Sequence, residues 1–147
     1  MSKAEEYALL ERQIRALLEG ETDPVAKMAN FAAALHGTFG FWWTGFYRVA
    51  GDELILGPFQ GPVACMHIPY GRGVCGTAWK ENASIVVPDV EQFPGHIACS
   101  SASRSEIVVP VHAPDGTVTA VLDIDSDRLA AFDNVDKAAL ERLVSLL

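Results

Sequence analysis

The sequence predicts an α+β fold: a six-stranded antiparallel sheet with N- and C-terminal helices packed on one face. Apolar residues recur at helical spacing near both ends, from Tyr7 to Leu18 and from Val135 to Leu147. Between them, from Trp43 onward, short runs rich in β-branched and aromatic residues alternate with turn residues. Strands grouped between terminal helices favour a sheet with helices on one side. Half of the 147 residues are hydrophobic, enough for a single domain over 1–147 to bury a core without disulfide staples.

The elements follow in order. Tyr7, Leu10, Ile14, Leu17 and Leu18 form the apolar stripe of a first helix that Gly20 ends. Thr22-Asp23-Pro24 caps a second helix with proline at its first position, and Gly37 closes it. Strands are expected at Trp43–Ala50, Glu53–Pro58, Val63–Pro69, Ser84–Pro88, Ser105–His112 and Thr117–Ile124. A short helical segment after Gly76 carries Thr77-Ala78-Trp79-Lys80, and Asp133 caps a last helix. Its stripe is Val135, Ala139, Leu140, Leu143, Val144 and Leu147.

Composition narrows the function. A net charge of −8 disfavours nucleic acid and anionic membranes, both of which demand basic surface, and admits cationic ligands. No uninterrupted apolar leader opens the chain and no stretch reaches membrane-spanning length, so a cytoplasmic setting is expected. Three cysteines in a reduced compartment argue for free, metal-bound or transiently oxidised thiols. Cys65, Cys75 and Cys99 each lie in a glycine-bearing segment that reads as a loop or strand edge.

The last hairpin permits a register argument. Its turn, Ala113-Pro114-Asp115-Gly116, suggests pairing residues whose numbers sum to 229. Ile107, Val109 and Val111 then oppose Leu122, Ala120 and Val118 on an apolar face, and Glu106 opposes Asp123 on the other. Asp125 shares the face of Asp123, so three carboxylates crowd one patch. A solvated strand end is the bland explanation for such a patch. A cation site or an acid catalyst is the functional one, because carboxylates held together raise one member's affinity for a proton.

For the thiols, a nucleophile needs partial exposure and a second thiol to resolve the sulfenic acid it forms. Cys99, in Pro94-Gly95-His96-Ile97-Ala98-Cys99-Ser100-Ser101, has the exposed context, and Cys65 and Cys75 are candidate resolvers. Metal binding is the rival. Cys65-x-His67 and His96-x-x-Cys99, completed by Cys75, could make a set, but no Cys-x-x-Cys knuckle exists and no metal is expected. Trp42, Trp43, Phe46 and Tyr47 open the first strand, and alternation puts Trp43 and Tyr47 on one face. Core packing is the default for such a cluster, while an aromatic wall for a sulfur-bearing ligand is the alternative. Gly71-Arg72-Gly73 with Gly76 lacks the phosphate-loop lysine and reads as a turn.

These residues give the chain a resemblance to the free methionine-(R)-sulfoxide reductases, small GAF-fold proteins. It spans nearly the whole chain and is densest in Trp43-Thr44-Gly45-Phe46-Tyr47, Leu56-Gly57-Pro58-Phe59-Gln60-Gly61, the stretch from Ile68 to Ala78, Gly95-His96-Ile97-Ala98-Cys99, Ser105 to Pro110 and Val121 to Ser126. The resemblance implies Cys99 as nucleophile, Cys65 as main resolving thiol and Cys75 as an auxiliary one. It implies that Glu106 is catalytic and that Glu106, Asp123, Asp125, Trp43 and Tyr47 bind substrate. Trp42 and Arg104 stand where asparagine is usual, and Ser100 stands where aspartate is common. The implied partners are free methionine sulfoxide and an external thioredoxin system fed by NADPH, with no bound cofactor and a homodimer as an open possibility. A GAF-type ligand-sensing module and a zinc-binding structural protein are the alternatives from other classes.

Overall fold

The computed structural model describes residues 1–97 and 102–147, and Cys99 lies outside them. The element order is α1 (Lys3–Leu18), α2 (Pro24–Phe39), β1 (Trp43–Ala50), β2 (Glu53–Gln60), β3 (His67–Pro69), α3 (Gly73–Glu81), β4 (Ile85–Val87), a 3₁₀ turn (Val90–Gln92), β5 (Ser105–His112), β6 (Val118–Ser126) and α4 (Asn134–Val144). The six strands form one antiparallel sheet in the order β3-β2-β1-β6-β5-β4. Side chains of successive strand residues point to opposite faces, so each strand feeds two different cores.

One face is covered by the terminal helices, as expected. Helix α2 lies on β1 and β2, α4 lies on β5, and α1 packs against both helices. Tyr7, Leu10, Ile14 and Leu18 of α1 and Leu140 and Leu143 of α4 join Phe46, Ile107, Val109, Leu122 and Ile124 of the sheet in one apolar cluster. Ser2, Asp23 and Asp133 cap the three helices through side-chain oxygens, Asp133 in a capping box with Asp136. Buried Asp136 accepts from the Tyr7 hydroxyl at 2.6 Å and from Lys3 Nζ at 2.7 Å, tying α1 to α4. Leu17 and Val135, both expected in helix stripes, are instead solvent-exposed. Helix α2 runs through Gly37 and ends at Gly40, which takes the left-handed conformation (φ 64°) that a C-cap favours.

The opposite face is covered by α3 and the connecting loops. Here Trp43, Tyr47, Leu54, Ile68, Val74, Cys75, Ala78, Val90, Val108 and Val121 form a second cluster. The strand expected over Val63–Pro69 is only His67–Pro69, and residues 61–66 form a loop. The glycine-rich turn expected at Gly71-Arg72-Gly73 leads directly into α3, which begins at Gly73 rather than after Gly76. Gly76 is required there, since a β-carbon on it would stand 2.7 Å from the carbonyl oxygen of Pro69.

Candidate functional site

The site is built on the second face, where β5 and β6 deliver three acids. The observed register pairs Glu106 with Asp125, Ile107 with Ile124, Val108 with Asp123 and Val109 with Leu122. The expected pairing of Glu106 with Asp123 is therefore displaced by two residues. Two local features cause this. The amide of Ala113 bonds to the carbonyl of Thr117, which leaves a three-residue connection with Gly116 at φ 88°, and a bulge follows between Val111 and His112. An even displacement keeps every side chain on its face, so Glu106, Asp123 and Asp125 still share one side. The solvated strand end is overturned: Glu106 is 5% exposed and Asp123 6%.

An aromatic wall stands beside the acids. Trp43 and Tyr47 do share a face of β1 and stack at 5.8 Å between ring centroids, with Phe59 against Trp43 at 5.3 Å. Pairing with β6 places Trp43 across from Asp125 and Gly45 across from Asp123. Glycine at 45 makes room for the indole, because a β-carbon there would lie 2.7 Å from Trp43 Cη2. The wall also holds the 61–66 loop: Trp43 Nε1 donates to the carbonyl of Pro62 at 3.0 Å, and the Tyr47 hydroxyl donates to that of Cys65 at 2.9 Å. Cys65 is half-buried in this loop and disulfide-bonded.

Helix α3 supplies the third wall. Its first turn carries Cys75, a free thiol that is buried rather than in a loop or strand edge. One ligand atom each of Cys75, Glu106 and Asp123 lie within 4.8 Å of one another. His96 reaches in from the loop after the 3₁₀ turn, with Nε2 3.6 Å from Glu106 Oε1, and Ser103 donates to Asp125 at 3.3 Å. These walls enclose a pocket that Arg72, Gly73 and Ile97 also line.

Burial controls the protonation of this cluster. Desolvation first, and then the neighbouring charge of Asp125, pushes the Glu106 carboxyl up to about 8. Burial also holds Asp123 and Asp125 well above the usual carboxylate range, with Glu106 adding to it at Asp123 and Asp123 adding to it at Asp125. Burial and the charge of Asp123 push the Cys75 thiol far up, so it is protonated at neutral pH. Burial lowers the His96 imidazole, which is then neutral. Acids this close ionise as a coupled set, and the pocket keeps protons at pH 7 that exposed carboxylates would have lost. Asp123 Oδ1 is buried and has no hydrogen-bond partner among the described residues.

Of the residues singled out in the sequence, Trp43, Tyr47, Cys75, Glu106, Asp123 and Asp125 converge here, and Cys65 lies in the loop tied to the wall. The metal pair Cys65-x-His67 does not form on a strand face; His67 is exposed and contacts Glu53 at 3.0 Å. His96, named in the sequence only as half of a possible metal pair, belongs to the site, and Ser103 and Gly45 join it without having been singled out as site residues. The Gly45 signal was present, since an interior strand glycine between aromatic residues marks a close approach.

Comparison with known proteins places this pocket in a family. A GAF-domain family model matches residues 23–147. A free methionine-R-sulfoxide reductase of Escherichia coli is 47% identical over 148 aligned positions, covering the whole of this chain and 89% of the relative. The chain belongs to the free methionine-R-sulfoxide reductase family of GAF domains. A family member from Neisseria meningitidis, solved in complex with its substrate, superposes with a TM-score of 0.97 at 51% identity, covering 99% of this chain and 88% of that one. A GAF domain-containing protein of Dictyostelium discoideum is 53% identical over 147 positions, covering 99% of this chain and 92% of the relative. The six-stranded antiparallel sheet with four helices is the GAF fold of this family.

Proposed function

We propose that the chain reduces free L-methionine-(R)-sulfoxide to L-methionine, using a cysteine nucleophile and an external dithiol. The observation that supports this best is the convergence of three acids, two of them buried, on an aromatic wall, beside the loop of a disulfide-bonded cysteine. Relatives at 47% and 51% identity are named for the same activity.

A sulfoxide sulfur is a poor electrophile until its oxygen is protonated or strongly hydrogen-bonded. Glu106, neutral at pH 7, donates that proton while the Cys99 thiolate attacks the sulfur. The attack forms a bond between Cys99 Sγ and the substrate sulfur; the protonated oxygen then passes from that sulfur to Cys99 Sγ as the sulfur–sulfur bond breaks, so methionine leaves with that bond's electron pair and Cys99 is oxidised to a sulfenic acid. The Cys65 thiol condenses with it, releasing water and forming a disulfide. An external dithiol of the thioredoxin class, itself reduced by NADPH, then exchanges with that disulfide and restores both thiols. Cys75 serves as an auxiliary thiol. Asp123 and Asp125 hold the α-ammonium once they ionise against it, and Trp43 and Tyr47 receive the methyl sulfoxide end. No bound cofactor or metal takes part, the unit is one domain over 1–147, and the setting is cytoplasmic.

A thioredoxin-coupled assay with the R and S forms of free methionine sulfoxide and with a peptide-bound form tests the reading. Turnover is expected with the free R form alone, and none with Cys99→Ser. Full activity of that variant overturns the assignment.

A further inference from the structure

The proposed reaction uses Cys75 only as an auxiliary thiol, yet the fold buries it directly against two acids. Its position is fixed by α3 entering at Gly73, and the acids by the β5–β6 register. We infer that Cys75, Glu106 and Asp123 form a binding site for one thiophilic divalent cation, Zn²⁺ by ligand chemistry, whose occupation excludes substrate. The ligand atoms already lie within 4.8 Å of one another. Zinc bound at about 2.3 Å to sulfur and about 2.1 Å to oxygen in tetrahedral geometry needs separations of roughly 3.4–3.7 Å, within reach of small side-chain rotations.

Two further observations point to a cation. Asp123 Oδ1, on a residue 6% exposed, has no hydrogen-bond partner among the described residues. Three acids so close cannot ionise together unless positive charge joins them, and among the described residues the basic side chain that reaches the cluster is His96, with Nε2 3.6 Å from Glu106 Oε1. A dication supplies that charge. The thiol selects against Mg²⁺ and Ca²⁺, which take oxygen ligands. Binding is proton exchange without redox change: the cation enters, and the protons held on Cys75, Glu106 and Asp123 leave to solvent.

The metal site stands independently of the sulfoxide reading, whereas the exclusion of substrate rests on it, because the same carboxylates are assigned to both. Co²⁺ is the probe, titrated into metal-free protein oxidised until one thiol per chain titrates after denaturation. One equivalent is expected to produce a near-ultraviolet sulfur-to-cobalt charge-transfer band, bleached by one equivalent of Zn²⁺. The band should vanish in Cys75→Ala, and the affinity should fall at least about tenfold in Asp123→Asn. Only a thiolate ligand gives this band, so its absence from the wild-type protein overturns the site whatever the variants do. Persistence of the band in Cys75→Ala overturns it equally. Excess free methionine-(R)-sulfoxide should weaken Co²⁺ binding at least about tenfold; an unchanged affinity overturns the exclusion. A wild-type protein that forms the band but never turns over the sulfoxide contradicts the proposed reaction and leaves the metal site standing.

Discussion

Strand β6 sends Leu122 and Ile124 to one face of the sheet and Asp123 to the other, and the two faces treat burial in opposite ways. On the helix face, α1, α2 and α4 bury apolar side chains against one another, and the main buried charge there, Asp136, is satisfied by Tyr7, Lys3 and the backbone of Asp133. On the α3 face, burial falls on acids that have each other for company and one oxygen with no partner among the described residues. The first arrangement stabilises the fold. The second stores an unfavourable electrostatic state that ligand, proton or metal can relieve.

Substitutions should separate the two faces. Glu106→Gln removes the proton donor while keeping size and a hydrogen-bonding amide, so kcat should fall by about 10²–10⁴-fold in the coupled assay. Its thermal unfolding should be unchanged or shifted upward, because a buried titrating group is lost. Leu122→Ala, directly behind the site on the helix face, should lower unfolding free energy by about 2–5 kcal/mol in a urea titration and leave kcat within about twofold. If Leu122→Ala costs activity as Glu106→Gln does, the faces are not independent. Tyr7→Phe strands an oxygen of Asp136 and should cost about 1–3 kcal/mol of stability with no effect on turnover.

The pH dependence of stability separates the two faces in a different way. Glu106 has a folded pKa of about 8 against an ordinary value of 4.5, so the native state binds the extra proton between those values. Its contribution is fully present below pH 4.5 and is lost as pH rises to about 8. Denaturant midpoints should therefore fall across that window, and more shallowly in Glu106→Gln. An identical slope in both proteins would move the retained proton elsewhere in the cluster.

The two faces also differ in how much of them the sequence discloses. Helical periodicity and the caps at Asp23 and Asp133 mark the helix face, because a stripe of leucines has one use. Alternation along β5 and β6 likewise places the three acids together, and it survives a register displaced by two, since faces repeat every second residue. The burial of those acids is not legible, because it depends on what covers them: α3 and the loops carrying Cys65 and His96 come from distant parts of the chain. The start of α3 is hidden for a local reason. Gly71, Gly73 and Gly76 look like turn residues, yet Gly76 is there to let the helix approach the Pro69 carbonyl. Leu17 and Val135 fit helical stripes on paper but fall at their edges and face solvent.

The central claim is that the α3 face keeps a carboxylic acid protonated at neutral pH. NMR titration of the Glu106 side-chain carboxyl carbon in the protein without substrate measures it directly, with Glu106→Gln assigning the resonance. The account predicts a midpoint near 8 that shifts when Asp125 is replaced by asparagine. A midpoint near the ordinary 4.5, unmoved by Asp125→Asn, would contradict it.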